Sequence, residues 1–274
     1  MILRCDRLAA MKAHRHLRLV WPPPIQQVSR PGRSIAVMGP PGAGKTALVA
    51  ALAGELLWRD ERLVLVDAAG SSNESLRTWV EAGRPGIFDD VPLICRPTED
   101  GARAAIEAVA EGGTALVDVG HDLSFESAAA ICRTVRLTIY VRRRSNDHDG
   151  EIVTAKALEA LYPRRGFKVL YNGLTREDSL RALRTVCCGS GIGSFGVALS
   201  ERVAYRTGRY TGKPPAFQGE GSRIARAEVA RFTDAIDRHF KYIAMHDRWQ
   251  AEQAHSSVDW RKTLTLDALI LLRC

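Results

Sequence analysis

Gly39-Pro40-Pro41-Gly42-Ala43-Gly44-Lys45-Thr46 is the stretch on which the fold turns, because it satisfies the pattern G-x-x-x-x-G-K-[ST] at every position. Its glycines let the backbone fold tightly enough to aim successive N–H groups at phosphate oxygens. Lys45 then places a point charge on the outer phosphates of a nucleotide, and the Thr46 hydroxyl offers an oxygen to Mg2+. The segment lies between an apolar run, Ser34-Ile35-Ala36-Val37-Met38, and a helix-like stretch from Ala47 to Trp58. The start of such a helix adds its positive dipole end to the same anion site. Gly39 through Ala47 are therefore the expected cofactor-binding residues, with Lys45 at the centre of the chemistry.

Outward from this loop, short apolar runs alternate with helix-like segments of about ten residues. Arg62–Val66, Leu93–Cys95, Thr114–Asp118, Leu137–Val141, Lys168–Tyr171 and Gly196–Leu199 read as further strands. Ser75–Glu81, Ala102–Ala110, Ser124–Thr134, Glu151–Leu161 and Glu228–Tyr242 read as helices. Strands this apolar are buried on both faces, so the alternation predicts an α/β fold: a doubly wound, mostly parallel sheet with helices on both sides. Two of the strands end in a carboxylate. Asp118 closes Thr114-Ala115-Leu116-Val117-Asp118 and suits an acid that works with Thr46 around Mg2+. Asp67 closes Leu63-Val64-Leu65-Val66-Asp67 at the same edge and is expected beside the nucleotide.

The chain has 274 residues, of which 46% are hydrophobic and 26% charged, as in an ordinary globular protein. No stretch approaches the ~18 uncharged apolar residues of a membrane span. The six cysteines form no C-x-x-C pair and no disulfide framework, so they read as reduced thiols of a cytoplasmic protein. Lys and Arg exceed Asp and Glu by 8, which favours polyanionic partners. Residues 1–33 carry seven Lys or Arg against one acid and include Trp21-Pro22-Pro23-Pro24, so they read as a basic N-terminal arm, with Met11 an alternative start. The folded domain is expected over 34–244. A C-terminal extension over 245–274, with Trp249, Trp260 and an apolar run from Leu264 to Leu272, is expected to pack back onto it.

The order of these landmarks, from Ser34 to Phe240, resembles the ParA/MinD family of ATPases. The resemblance rests on Gly39–Thr46, on Val64 to Ser72 as a first switch, on Leu116 to His121 as a second, and on Leu199 to Arg206 as a late strand and base-side loop. Pro214-Pro215-Ala216-Phe217 matches a short apolar stop, and Asn172 matches a position that contacts adenine. It implies ATP and Mg2+ as ligands, with Thr46 and Asp118 at the metal and Lys45, Asp67 and Asp118 in the hydrolytic site. It also implies an ATP-dependent homodimer, non-specific DNA binding and an adaptor protein, in plasmid or chromosome partition or related DNA positioning. Arg202, Arg206, Arg209, Lys213, Arg223 and Arg226 lie where that family carries its DNA surface.

Two departures bear on rate. The family's signature lysine falls at Pro40, and the second aspartate of its first switch falls at Ala69. A missing cation and a missing carboxylate weaken charge stabilisation and water orientation, so hydrolysis is expected to be slow. Arg142, Arg143 and Arg144, past a core strand, read as a solvated basic loop, with a replacement cation for the missing lysine as the alternative. Two other readings stay open: a small-molecule or nucleotide kinase, which needs arginines over the phosphates, and a scaffold that binds ATP without hydrolysing it.

Overall fold

Every run read as a strand is a strand in the structure, a computed structural model that describes residues 32–68, 75–96, 98–143, 166–175 and 193–271. The strands are β1 (Arg33–Met38), β2 (Leu63–Asp67), β3 (Leu93–Cys95), β4 (Thr114–Asp118), β5 (Leu137–Arg143), β6 (Phe167–Leu174) and β7 (Ser194–Ser200). They form one sheet in the order β3-β2-β4-β1-β5-β6-β7, and every neighbouring pair is parallel. Six helices lie among the described residues: α1 (Lys45–Trp58), α2 (Leu76–Ala82), α3 (Glu99–Ala108), α4 (Phe125–Thr134), α5 (Val203–Thr211) and α6 (Arg223–Leu271).

Successive side chains on a strand point to opposite faces, and here both faces are dry. Ile35, Val37, Leu65, Leu116, Ile139 and Leu170 face a layer built from α1, α2 and α6. Ala36, Met38, Val64, Val66, Val117 and Tyr140 face a layer with residues of α3 and α4. The expected doubly wound α/β architecture is the observed one. β1 lies between β4 and β5, where the winding reverses, and such a switch point opens a crevice at the carboxyl ends of the strands. The loop after β1 enters that crevice.

Three expectations are corrected. Leu199–Arg206 is not strand and loop alone: the strand stops at Ser200 and a nine-residue helix, α5, starts at Val203. Gly208 inside that helix disguised it, but a side chain there would meet the Trp79 ring at 2.7 Å, so the glycine allows α5 to lie on α2. Arg142 and Arg143 are not a solvated loop. They extend β5, in register with Tyr171 and Asn172, and the Arg142 guanidinium lies 5.9 Å from the Tyr171 ring centre. The helix expected over Glu228–Tyr242 runs unbroken from Arg223 to Leu271, so the border drawn at 244/245 falls inside one helix. Its inward stripe (Ala225, Val229, Phe232, Ile236, Phe240, Ile243) is buried, and the residues beyond Ile243 as far as 253 are exposed or half-buried. Pro215–Phe217 forms a 3-10 turn, and Pro214 beside it seats against Gly54 of α1.

The basic arm, Ala69 to Ser72, Arg144, the helix expected over Glu151–Leu161 and the glycine-rich turn near Cys187 all lie outside the described residues. No described helix is long and apolar enough to cross a membrane.

Candidate functional site

The loop after β1 adopts the conformation that its glycines were expected to permit. Gly42 and Gly44 hold φ of +73° and +85°, in the left-handed region where a side chain is strained. A Cβ on Gly44 would also sit 2.5 Å from Asn172 Nδ2. That amide donates a hydrogen bond to the Ala43 carbonyl at 2.8 Å, so β6 anchors the loop from the side. α1 begins at Gly44 with no side-chain cap and no acid in its first turn. Its first N–H groups and its positive dipole end are therefore left for a ligand.

Lys45, Thr46 and Asp118 meet at this point. Lys45 is only 7% exposed, and its Nζ donates to the Pro40 carbonyl at 3.1 Å. Burial pushes its ammonium below the ordinary lysine value, with Asp118 and Asp122 pulling the other way. The Thr46 hydroxyl donates to Asp118 Oδ2 at 2.6 Å. The other carboxylate oxygen, Oδ1, is buried without a partner among the described residues. An orphaned buried acceptor is costly unless something fills its lone pairs. The cost registers in the acid itself: burial, aided by the negative charge of Asp67, raises Asp118 to about 7 against the opposing Thr46 bond and Lys45.

A divalent cation fits this arrangement. Asp118 Oδ1 and Thr46 Oγ1 are hard oxygen donors, and Mg2+ is typically held by one or two protein groups together with phosphate oxygens and water. No cluster of three or more His, Cys, Asp or Glu suited to a metal occurs among the described residues, so the protein alone does not cage an ion there.

Asp67 is buried and next to Asp118 in the β2–β4 register, yet it is otherwise engaged. Its Oδ2 accepts the Arg77 backbone N–H at 2.8 Å, in the first turn of α2, and it does not line the cavity described next. The strand end expected beside the nucleotide thus caps a helix and acts on Asp118 through its charge.

A cavity of about 670 Å3 opens over the loop. Of the expected residues, Gly42 to Ala47, Asp118 and Asn172 line it, whereas Gly39, Pro40 and Pro41 do not. Also lining it are His121 and Ser200 to Arg202, Tyr205 and Arg206, from segments the resemblance puts at the nucleotide, and Arg143 at the end of β5, the alternative cation of the sequence. Trp79 from α2 and Arg209 on α5 were not anticipated there. Five cationic side chains (Lys45, Arg143, Arg202, Arg206, Arg209) against two carboxylates (Asp118, Glu201) make the lining favour an anion. The spacing 202, 206, 209 is that of one helix face, a signal the sequence carried once the segment is read as helix.

The six basic residues expected on a DNA surface are therefore divided. Arg202, Arg206 and Arg209 line the cavity. Arg226 lies over the Trp58 ring at 3.9 Å, while Lys213 and Arg223 are exposed. Arg202 is further tied to the buried Glu228 of α6 at 2.7 Å, and Glu228 also accepts from the Ser200 hydroxyl at 2.9 Å. This network fixes the turn between β7 and α5. The Tyr205 hydroxyl sits buried beside it without a partner among the described residues, and its pKa is raised by burial and by Glu228.

No protein-family model matches the chain. It is 25% identical over 241 residues to the replication factor C large subunit of Pyrobaculum calidifontis, an alignment covering 84% of this chain and 52% of that protein. The chain thus spans about half the length of that curated relative. Among solved structures, the cell-division ATPase MinD of Pyrococcus furiosus superposes with a TM-score of 0.57 at 17% identity, over 76% of this chain and 99% of that one. MinD of Pyrococcus horikoshii, complexed with Mg-ADP, gives 0.55 at 16% identity over 75% and 97%. A ParA-family ATPase of Chlorobium tepidum gives 0.55 at 13% identity over 74% and 98%. The chain has the α/β fold of the MinD and ParA ATPases.

Proposed function

We propose that the chain is an ATP- and Mg2+-binding switch of the ParA/MinD type. The observation that carries this reading is the contact of Thr46 with Asp118 at the mouth of an uncapped helix, with a buried carboxylate oxygen left over. In this reading the N–H groups of the loop hold the phosphates and Lys45 balances their charge. Thr46 and Asp118 hold Mg2+, which would draw charge from the phosphate oxygens. Asn172 keeps the loop in place. Asp67 docks α2 and keeps Asp118 reluctant to ionise until a cation arrives. Pro40 and Ala69, which supply neither cation nor carboxylate, make intrinsic hydrolysis slow.

The finer part of the proposal is a cycle: ATP drives a homodimer, the dimer binds duplex DNA without regard to sequence, an adaptor stimulates hydrolysis, and ADP releases the DNA. Lys213 and Arg223 are exposed and remain as candidate phosphate contacts. Sedimentation of the purified chain with ATP–Mg2+ and duplex DNA, beside a Lys45→Ala control, tests the cycle. ATP-dependent dimers that carry DNA, absent in the control, support it. A protein that stays monomeric with ATP and ignores DNA contradicts it.

The arginines of α5 in the cavity favour a second reading, phosphoryl transfer to a small acceptor. That reading requires ATP turnover that rises many-fold when the acceptor is added, by a monomer.

A further inference from the structure

The helix α6 outruns the sheet it packs on. Near its start Glu228 accepts from Ser200 at the carboxyl end of β7, further along Asp237 pairs with Arg33 at the start of β1, and Asp247 pairs with Arg136, just before β5, at 3.0 Å. The helix therefore runs from the cavity edge of the sheet to the opposite edge, and it continues to Leu271. Past Ile243 no side chain as far as 253 is buried. A helix in water draws most of its stability from packing an apolar face, so this stretch calls for a cover. Tyr242, Met245 and Trp249, spaced as one stripe, are 49%, 64% and 54% exposed. His246 orders the two rings beside it, with its own ring centre 6.3 Å from that of Tyr242 and 5.5 Å from that of Trp249.

The charges beside the stripe select its cover. Lys241 and Glu252 lie on the same flank, about three turns apart, both exposed and neither in an ion pair among the described residues. Two copies laid antiparallel about a two-fold axis near His246 bring each Lys241 to the partner's Glu252, and the stripe of one onto the stripe of the other. A parallel pair would set Lys241 against Lys241. We propose that α6 pairs with a second copy of this chain in this antiparallel manner, through Tyr242, Met245 and Trp249, and that the pair forms without nucleotide. The contact lies at the sheet edge opposite the cavity, so it leaves the phosphate-binding loop open. It is thus separate from the ATP-driven association of the cycle above. Glu252 also argues against an anionic lipid surface as the cover, since such a surface repels the carboxylate that a second copy would use.

Sedimentation of the full chain without nucleotide, over a series of concentrations, tests the pairing. A dimer that grows with concentration is expected. Trp249→Glu is expected to weaken it by about tenfold or more. Lys241→Glu and Glu252→Lys should each weaken it by about threefold or more, and the two together should restore most of the loss. Both side chains are exposed, so these reversals leave the fold intact, and their mutual rescue is a readout that general damage would not give. A chain that is monomeric at every concentration overturns the proposal, as does a dimer unchanged by Trp249→Glu. Charge reversals that fail to rescue one another overturn the antiparallel register. A chain that is monomeric in solution but sediments with vesicles of anionic phospholipid gives the stripe to a lipid surface instead, and also overturns the pairing. Because no nucleotide is present, any of these failures leaves the ATP cycle standing.

Discussion

Asp118 is the residue where structure and chemistry meet most tightly. Its carboxyl is held near 7 by burial and by Asp67, whereas an unfolded chain releases that proton near the ordinary value of about 3.9. The sign follows from linkage. Between about pH 4 and pH 7 the unfolded state sheds a proton that the folded state keeps. Stability contributed by this group is thus full below about pH 4, declines as pH rises, and is gone above about pH 7. In the ligand-free protein, Asp118→Asn should remove the decline. At pH 8 the variant should be more stable than the parent by on the order of 2–4 kcal/mol, and at pH 4 the two should match. Urea denaturation at the two pH values measures this, and an equal difference at both contradicts the assignment. Binding runs the other way. Because Mg2+ requires the carboxylate, affinity for Mg-ATP should rise between pH 6 and pH 8.

At the scale of elements, the strands were legible and one helix was not. Each strand announces itself by a run of three or four apolar residues between turn signals, and burial on both sides of a parallel sheet leaves little else for such runs to do. The loop was legible because its motif is a backbone requirement written in glycines. α5 was missed because its reasons lie in tertiary contact. Gly208 and Gly212 look like helix breakers in sequence, yet they are where α5 approaches α2. Gly212 ends α5 with φ +62°, and a Cβ there would lie 2.0 Å from the Gly83 nitrogen. Gly212→Ala should therefore lower the melting temperature by roughly 5–10 °C, through both strain and backbone clash. A change under about 1 °C would show that α5 can shift off α2 at little cost. The strand ending at Arg143 was read short for a related reason. Arginines at a strand end look solvated until the neighbouring strand supplies Tyr171 for Arg142 to lie against.

Across the whole molecule, the sheet brings residues far apart in sequence to one edge. Thr46, Asp118, Asn172 and Arg206 come from four separate stretches and line one cavity, because parallel strands all deliver their carboxyl ends to the same side. α6 links that edge to the rest of the fold: Glu228 holds the turn before α5, and Asp237 on the same helix pairs with Arg33 at the start of β1. The central claim is that this edge binds a nucleoside triphosphate with Mg2+. Its most direct test is a calorimetric titration of ATP into the purified chain, with and without Mg2+, beside Lys45→Ala. The account predicts micromolar or tighter binding that needs Mg2+ and weakens at least about a hundredfold in the variant, as expected when a buried charged contact is lost. Binding that is indifferent to both Mg2+ and Lys45, or no binding, would contradict it.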